Sequence, residues 1–126
     1  MNNMINPGKY KIANFKYPNL YVYMTGDGDL VMHTVAQIIQ VDVIDKVQHF
    51  ATIFDTATNK YLGCDLDDGK AKGFTDSQVL QLSSDDGVKF DVNHVWFLKE
   101  GKDWTPITVQ PAPDSDAKYW KFEKVE

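Results

Sequence analysis

Apolar and polar positions alternate in short runs along this chain, and one run recurs. Ala36-Gln37-Ile38-Ile39-Gln40-Val41 returns about forty residues later as Ser77-Gln78-Val79-Leu80-Gln81-Leu82. It returns again, about forty residues further on, as Ala117-Lys118-Tyr119-Trp120-Lys121-Phe122. Each copy runs small, polar, apolar, large apolar, polar, apolar, and is rich in β-branched or aromatic residues, so each reads as a strand. Around the copies the same order of elements repeats. In the first unit, Lys9 to Asn14 alternates with Tyr10 and Ile12 on one face, Leu20 to Met24 follows a turn at Tyr17-Pro18-Asn19, and Thr25 to Asp29 is a hairpin loop before Leu30 to His33. The second unit has His49 to Phe54, a turn at Asp55 to Asn59, Lys60 to Asp65, a hairpin at Asp67 to Lys70 and a weaker strand near Ala71 to Thr75. The third has Val88 to Val92, a short loop at Asn93-His94, Val95 to Lys99, a hairpin at Glu100 to Asp103 and a strand over Trp104 to Gln110. Pro111 to Asp116 is then a stiffened loop.

One stretch allows a second reading. Val35, Ile39 and Val43 fall at helical spacing, so Thr34 to Val47 can be drawn as a helix. Its β-branched residues, Val35, Ile38, Ile39, Val41, Val43, Ile44 and Val47, favour strand instead. The all-β reading therefore has units at about 8–45, 46–86 and 87–126 of a single domain spanning residues 1–126. Ile39, Leu80 and Trp120 are expected to share one core layer about a threefold axis, with Val41, Leu82 and Phe122 in another.

Composition narrows the possibilities. Hydrophobic residues make up 43% and charged residues 25%, which describes a globular chain able to bury its own core. A net charge of −5 with no basic stripe argues against nucleic acid or an anionic membrane as partner. The single Cys64 excludes an internal disulfide. Met1 to Pro7 lacks the pattern of a secretory signal, which for a complete chain points to the cytoplasm or to non-classical secretion.

Three four-stranded units, each closed by a polar-x-large apolar strand, resemble the β-trefoil family. Ricin-B-type trefoils carry Gln-x-Trp at this place, and the chain has Gln37-Ile38-Ile39, Gln78-Val79-Leu80 and Lys118-Tyr119-Trp120. Gly8-Lys9-Tyr10-Lys11-Ile12 and Asn59-Lys60-Tyr61-Leu62-Gly63 add to the likeness, which spans residues 8 to 125. The resemblance implies a six-stranded barrel with a hairpin cap, and looks most like small fungal trefoil lectins and Kunitz-like protease inhibitors. A barrel also removes the exposed strand edges that invite aggregation.

Catalysis is not expected. His33, His49 and His94 sit in three units at no metal-ligand spacing, and read as solvated or hydrogen-bonded strand-end residues. Cys64 has no basic cluster beyond Lys60 and reads as a buried thiol. Asp65-Leu66-Asp67-Asp68-Gly69 lacks the later glutamate and flanking helices of a calcium loop and reads as a hairpin turn. No metal or cofactor is implied.

Binding is the remaining expectation, with a glycan or a protein as target and a monomer or weak dimer as the acting form. A sugar site needs an aromatic face together with a few convergent polar groups. By the resemblance, an aspartate on the second strand of a unit and an aromatic beyond its hairpin supply these. The second unit matches best, with Asp65 as acceptor, Phe74 as platform and Asp76 and Gln78 nearby. The first unit offers Tyr23 and Asp27 without a platform; in the third, Lys99-Glu100 replaces the acidic turn and Trp104 could stack. The Kunitz-like alternative needs an exposed rigid loop. Lys46-Val47, within Asp42 to Gln48, would present a basic side chain to a trypsin-like pocket, and the Pro111 to Ala117 loop is the other candidate. Trefoils of the Kunitz type also include taste-active proteins, which implies a third, receptor-directed possibility.

Overall fold

A computed structural model describes residues 5–83, 87–89, 94–111 and 115–125. Among the described residues, twelve strands join in one antiparallel sheet. They are β1 (Gly8–Asn14), β2 (Tyr21–Met24), β3 (Leu30–His33), β4 (Ile39–Asp45), β5 (Phe50–Asp55), β6 (Lys60–Asp65), β7 (Lys70–Phe74), β8 (Leu80–Ser83), β9 (Gly87–Lys89), β10 (His94–Phe97), β11 (Thr108–Pro111) and β12 (Trp120–Lys124). Thr34 to Val47 is not a helix: β4 fills its centre, and a tight turn at 46–49 leads into β5.

The pairings repeat with threefold regularity, and the fold is a β-trefoil. β2–β3, β6–β7 and β10–β11 are hairpins. Round the barrel, β12 pairs with β1, β1 with β4, β4 with β5, β5 with β8 and β8 with β9. A sixth contact, between β9 and β12, is not among the described pairings. The three hairpins form the cap and hold one another in a ring of backbone bonds. Gly73 N–H donates to Gly28 O (2.8 Å), Val109 N–H to Gly69 O (2.9 Å) and Met32 N–H to Thr105 O (2.9 Å). Gly28 and Gly69 reach these positions with φ of 88° and 64°, a conformation that disfavours side chains.

The repeated stretch supplies the core as expected. Ile39, Leu80, Trp120, Val41 and Leu82 are buried, and Phe122 packs against them partly buried. Trp120 donates from Nε1 to Trp96 O (3.2 Å) and meets the Trp96 ring edge-on, so its one polar atom is satisfied inside. Two buried polar side chains hold the turns beyond β1 and β5. Asn14 Oδ1 accepts from Lys16 and Tyr17 N–H, and its Nδ2 donates to Ala117 O. Asp55 accepts from Ala57 N–H and Thr58 Oγ1.

Two expectations need correction. The repeated stretch is strand only in its later half: the chain before Ile39 and Leu80 is a connection, and Asp116–Lys118 is a 3₁₀ turn. There, Ser115 accepts from Ala117 N–H, a local bond that competes with the ladder. Trp104 to Ile107 are likewise outside β11. Trp104 N–H is spent on Met32 O and Thr105 N–H on Lys102 O, while Pro106 has no donor. Of the expected third-unit strand Val88 to Val92, residues 90–92 lie outside the described residues, as does Asn93 of the short loop.

Candidate glycan-binding face

The hairpin β6–β7 separates two faces by simple alternation. Tyr61↔Phe74, Gly63↔Lys72 and Asp65↔Lys70 are opposite pairs, interleaved with Leu62↔Gly73 and Cys64↔Ala71. Leu62, Cys64 and Ala71 are buried in the core, so the first set faces outward. Asp65 and Phe74 are thereby brought to one face.

Gly63 is the pivot of that face. A Cβ there would lie 2.7 Å from Gln78 Cγ and 2.9 Å from the Phe74 ring, so both side chains rest on its bare backbone. Gly63 is two residues from Asp65, about 7 Å along a strand. Lys72, opposite Gly63, links the ends: its Nζ lies 3.4 Å from Asp65 Oδ2 and also donates to Asp68. The bond from Lys72 holds the Asp68 carboxyl below its ordinary value, and Asp68 in turn raises the Lys72 ammonium. Asp65 Oδ1 also accepts from Asp67 N–H (3.0 Å), which closes the turn. Asp76 is exposed, and Gln78 Nε2 reaches Asp76 O at 3.5 Å. Beside Lys70 opens a cavity of about 480 Å³ lined by Lys70, Lys99, Glu100, Thr105, Pro106 and Thr108.

Four expected residues, Asp65, Phe74, Asp76 and Gln78, thus lie on or beside one hairpin. Sequence reasoning missed Gly63 and Lys72, although Lys70, Lys72 and Phe74 alternate visibly. Gln37, in the first copy of the repeat, has a structural role: its Oε1 accepts from Met24 N–H and its Nε2 donates to Met24 O.

Elsewhere the expectations divide. Lys46 and Val47 are exposed, but in a short turn curled round Asp45, whose Oδ1 accepts from Val47 and Gln48 N–H. Such a turn offers little extended backbone to a protease cleft, so the inhibitor reading is not favoured. Of the Pro111 to Ala117 loop, residues 112–114 lie outside the described residues. Trp104 stacks, but on His33 of the first unit, with centroids 4.0 Å apart.

No protein-family model and no curated protein matches the sequence. Solved structures do resemble it. The Macrolepiota procera ricin B-like lectin, solved with lactose, aligns over 96% of this chain and 99% of its own, with TM-score 0.83 and 16% identity. The Rhizoctonia solani agglutinin aligns over 95% and 96%, with TM-score 0.78 and 16% identity. A mosquitocidal holotoxin aligns over 98% of this chain, with TM-score 0.80 and 19% identity; this chain spans 18% of the toxin's. At these identities the likeness is one of fold: the chain shares the β-trefoil architecture of the ricin B-like lectins.

Proposed function

We propose that this protein is a non-enzymatic lectin whose glycan site is the outer face of β6–β7. The observation that carries this is Phe74 laid over Gly63 on the same face as Asp65 and Lys72. A pyranose has an apolar C–H face and a rim of hydroxyls, so it needs an aromatic ring flanked by donors and acceptors. Phe74 supplies the ring. Asp65 is an acceptor steadied by Lys72 and Asp67 N–H, with lone pairs for hydroxyl protons, and Lys72 is a donor. Asp76 and Gln78 border the platform and would contact a longer glycan. The trefoil shared with a lectin solved with lactose supports this reading.

The protein acts, on this reading, as a single domain of three units, monomeric or weakly dimeric, with a glycan as its partner. A glycan array tests it. Wild-type protein is expected to retain at least one class of glycan, and Asp65→Ala or Phe74→Ala to weaken that binding tenfold or more. Undiminished binding by both variants would move the site elsewhere; an array without any signal would remove the lectin reading.

A further inference from the structure

Trp104 is the one tryptophan of three that stands in solvent, 51% exposed, whereas Trp96 and Trp120 are buried. It is held there firmly. Its backbone has a left-handed φ of 70°, which a bulky residue adopts only when its surroundings enforce it. Its N–H donates to Met32 O (2.7 Å), and Thr105 Oγ1 donates to Lys102 O (2.7 Å) to close the turn. An outlier of this kind at an exposed aromatic points to a use for the ring.

The ring is placed among groups from another unit. His33, at the end of β3, stacks on one indole face at 4.0 Å with an interplanar angle of 23°. Tyr23 stands edgewise, 5.0 Å from His33 and 5.7 Å from Trp104. These three separations put Tyr23 beside the stack, not on the far side of the indole, so neither ring covers that far face. Asp103, the next residue along, pairs with His33 Nδ1 at 2.5 Å while its side chain stays 40% exposed. One open indole face beside a carboxylate and an imidazole therefore lies on the seam between the first and third units.

We propose that Tyr23, His33, Asp103 and Trp104 form a second pyranose-binding site, built across two units. This rests on the lectin reading and adds a site that no single unit contains. The C–H face of the sugar would lie on the open side of Trp104, and Asp103 would accept from a hydroxyl at the ring's edge. His33 fixes both, stacking beneath the indole and binding the carboxylate, so the site is ordered before the sugar arrives. An aromatic cage for a quaternary ammonium needs faces that converge on one point. Here one ring lies flat on another and the third stands at their side, which suits a flat sugar face better.

The experiment separates this proposal from the lectin reading. The Asp65→Ala/Phe74→Ala double variant is applied to an array of galactosides, N-acetylhexosaminides, mannosides and fucosides, alongside wild type and the double variant carrying Trp104→Gly. Glycine suits the left-handed backbone, so that change removes the ring without straining the turn. The double variant is expected to retain at least one glycan, and Trp104→Gly to weaken it tenfold or more. Titrating that glycan into the double variant should also shift tryptophan emission, because the second-unit face has no tryptophan. If wild type binds and the double variant binds nothing, or if Trp104→Gly leaves the retained glycan and its emission unchanged, the second site is overturned. If wild type itself binds nothing, the lectin reading falls first.

Discussion

The inward and outward positions of the three units have diverged to very different degrees. Inside, Ile39, Leu80 and Trp120 differ in size, yet all are apolar and buried. Outside, the residues following the cap-bond donors Met32, Gly73 and Val109 are His33, Phe74 and Gln110: a titratable ring, an apolar ring and an amide. The residues preceding the acceptors Gly28, Gly69 and Thr105 are Asp27, Asp68 and Trp104. Packing density ties the inner positions to one another, since a gap left by one must be filled by another. No such tie binds the outer ones. A trefoil can therefore keep a common interior while each outer face acquires its own chemistry.

The sharpest way to break this contrast is from the inside. Trp120→Ala should cost about 3–5 kcal/mol of stability, read as a lowered urea midpoint, because it opens a large cavity. It also removes the donor to Trp96 O. A loss below 1 kcal/mol would mean that the layer is not shared. Next come the buried turn holders. Asp55→Ala should cost about 1–3 kcal/mol by leaving Ala57 N–H and Thr58 Oγ1 without their acceptor. Asp55→Asn should recover most of that, since Asn14 performs the corresponding task beyond β1 with an amide.

Outer positions should behave in the opposite way. Asp65→Ala is expected to change stability by no more than about 0.5 kcal/mol, since Asp65 is not buried. Its effect should fall on glycan binding. The smallest effect is electrostatic. The Asp68 carboxyl should titrate below the usual carboxylate range by NMR and return towards it in Lys72→Met, whose loss removes the hydrogen bond and the nearby cation. Because its folded value is depressed, the stabilisation from Asp68 is present above the unfolded value and is lost as pH falls through the folded one.

The same contrast explains what was legible in the sequence. The core repeat stood out because inward positions must be apolar at period two, and β-branched residues decided strand over helix at Ile39 to Asp45. Asp65 and Phe74 could be paired because they flank one hairpin, and hairpin register is local. Gly63 gave no signal as a platform for Phe74, because its role depends on which side chains lean over it. Trp104 was read as a strand residue of its own unit. Its partners Tyr23 and His33 are far away in sequence, and only the closing of the cap brings them together. Asn14 looked like an ordinary strand end and Asp55 like an ordinary turn residue, since nothing local reveals that they are buried.

Recognition of a sugar by the second unit is tested most directly by titrating the best-bound glycan of the array into ¹⁵N-labelled protein. The amide shifts of Gly63, Asp65, Lys72 and Phe74 should move together and saturate, with a separate and independently titrating set at His33 and Trp104. Shifts confined to the Lys46–Val47 turn, or a β6–β7 hairpin left unmoved at saturation, would contradict glycan binding on that face.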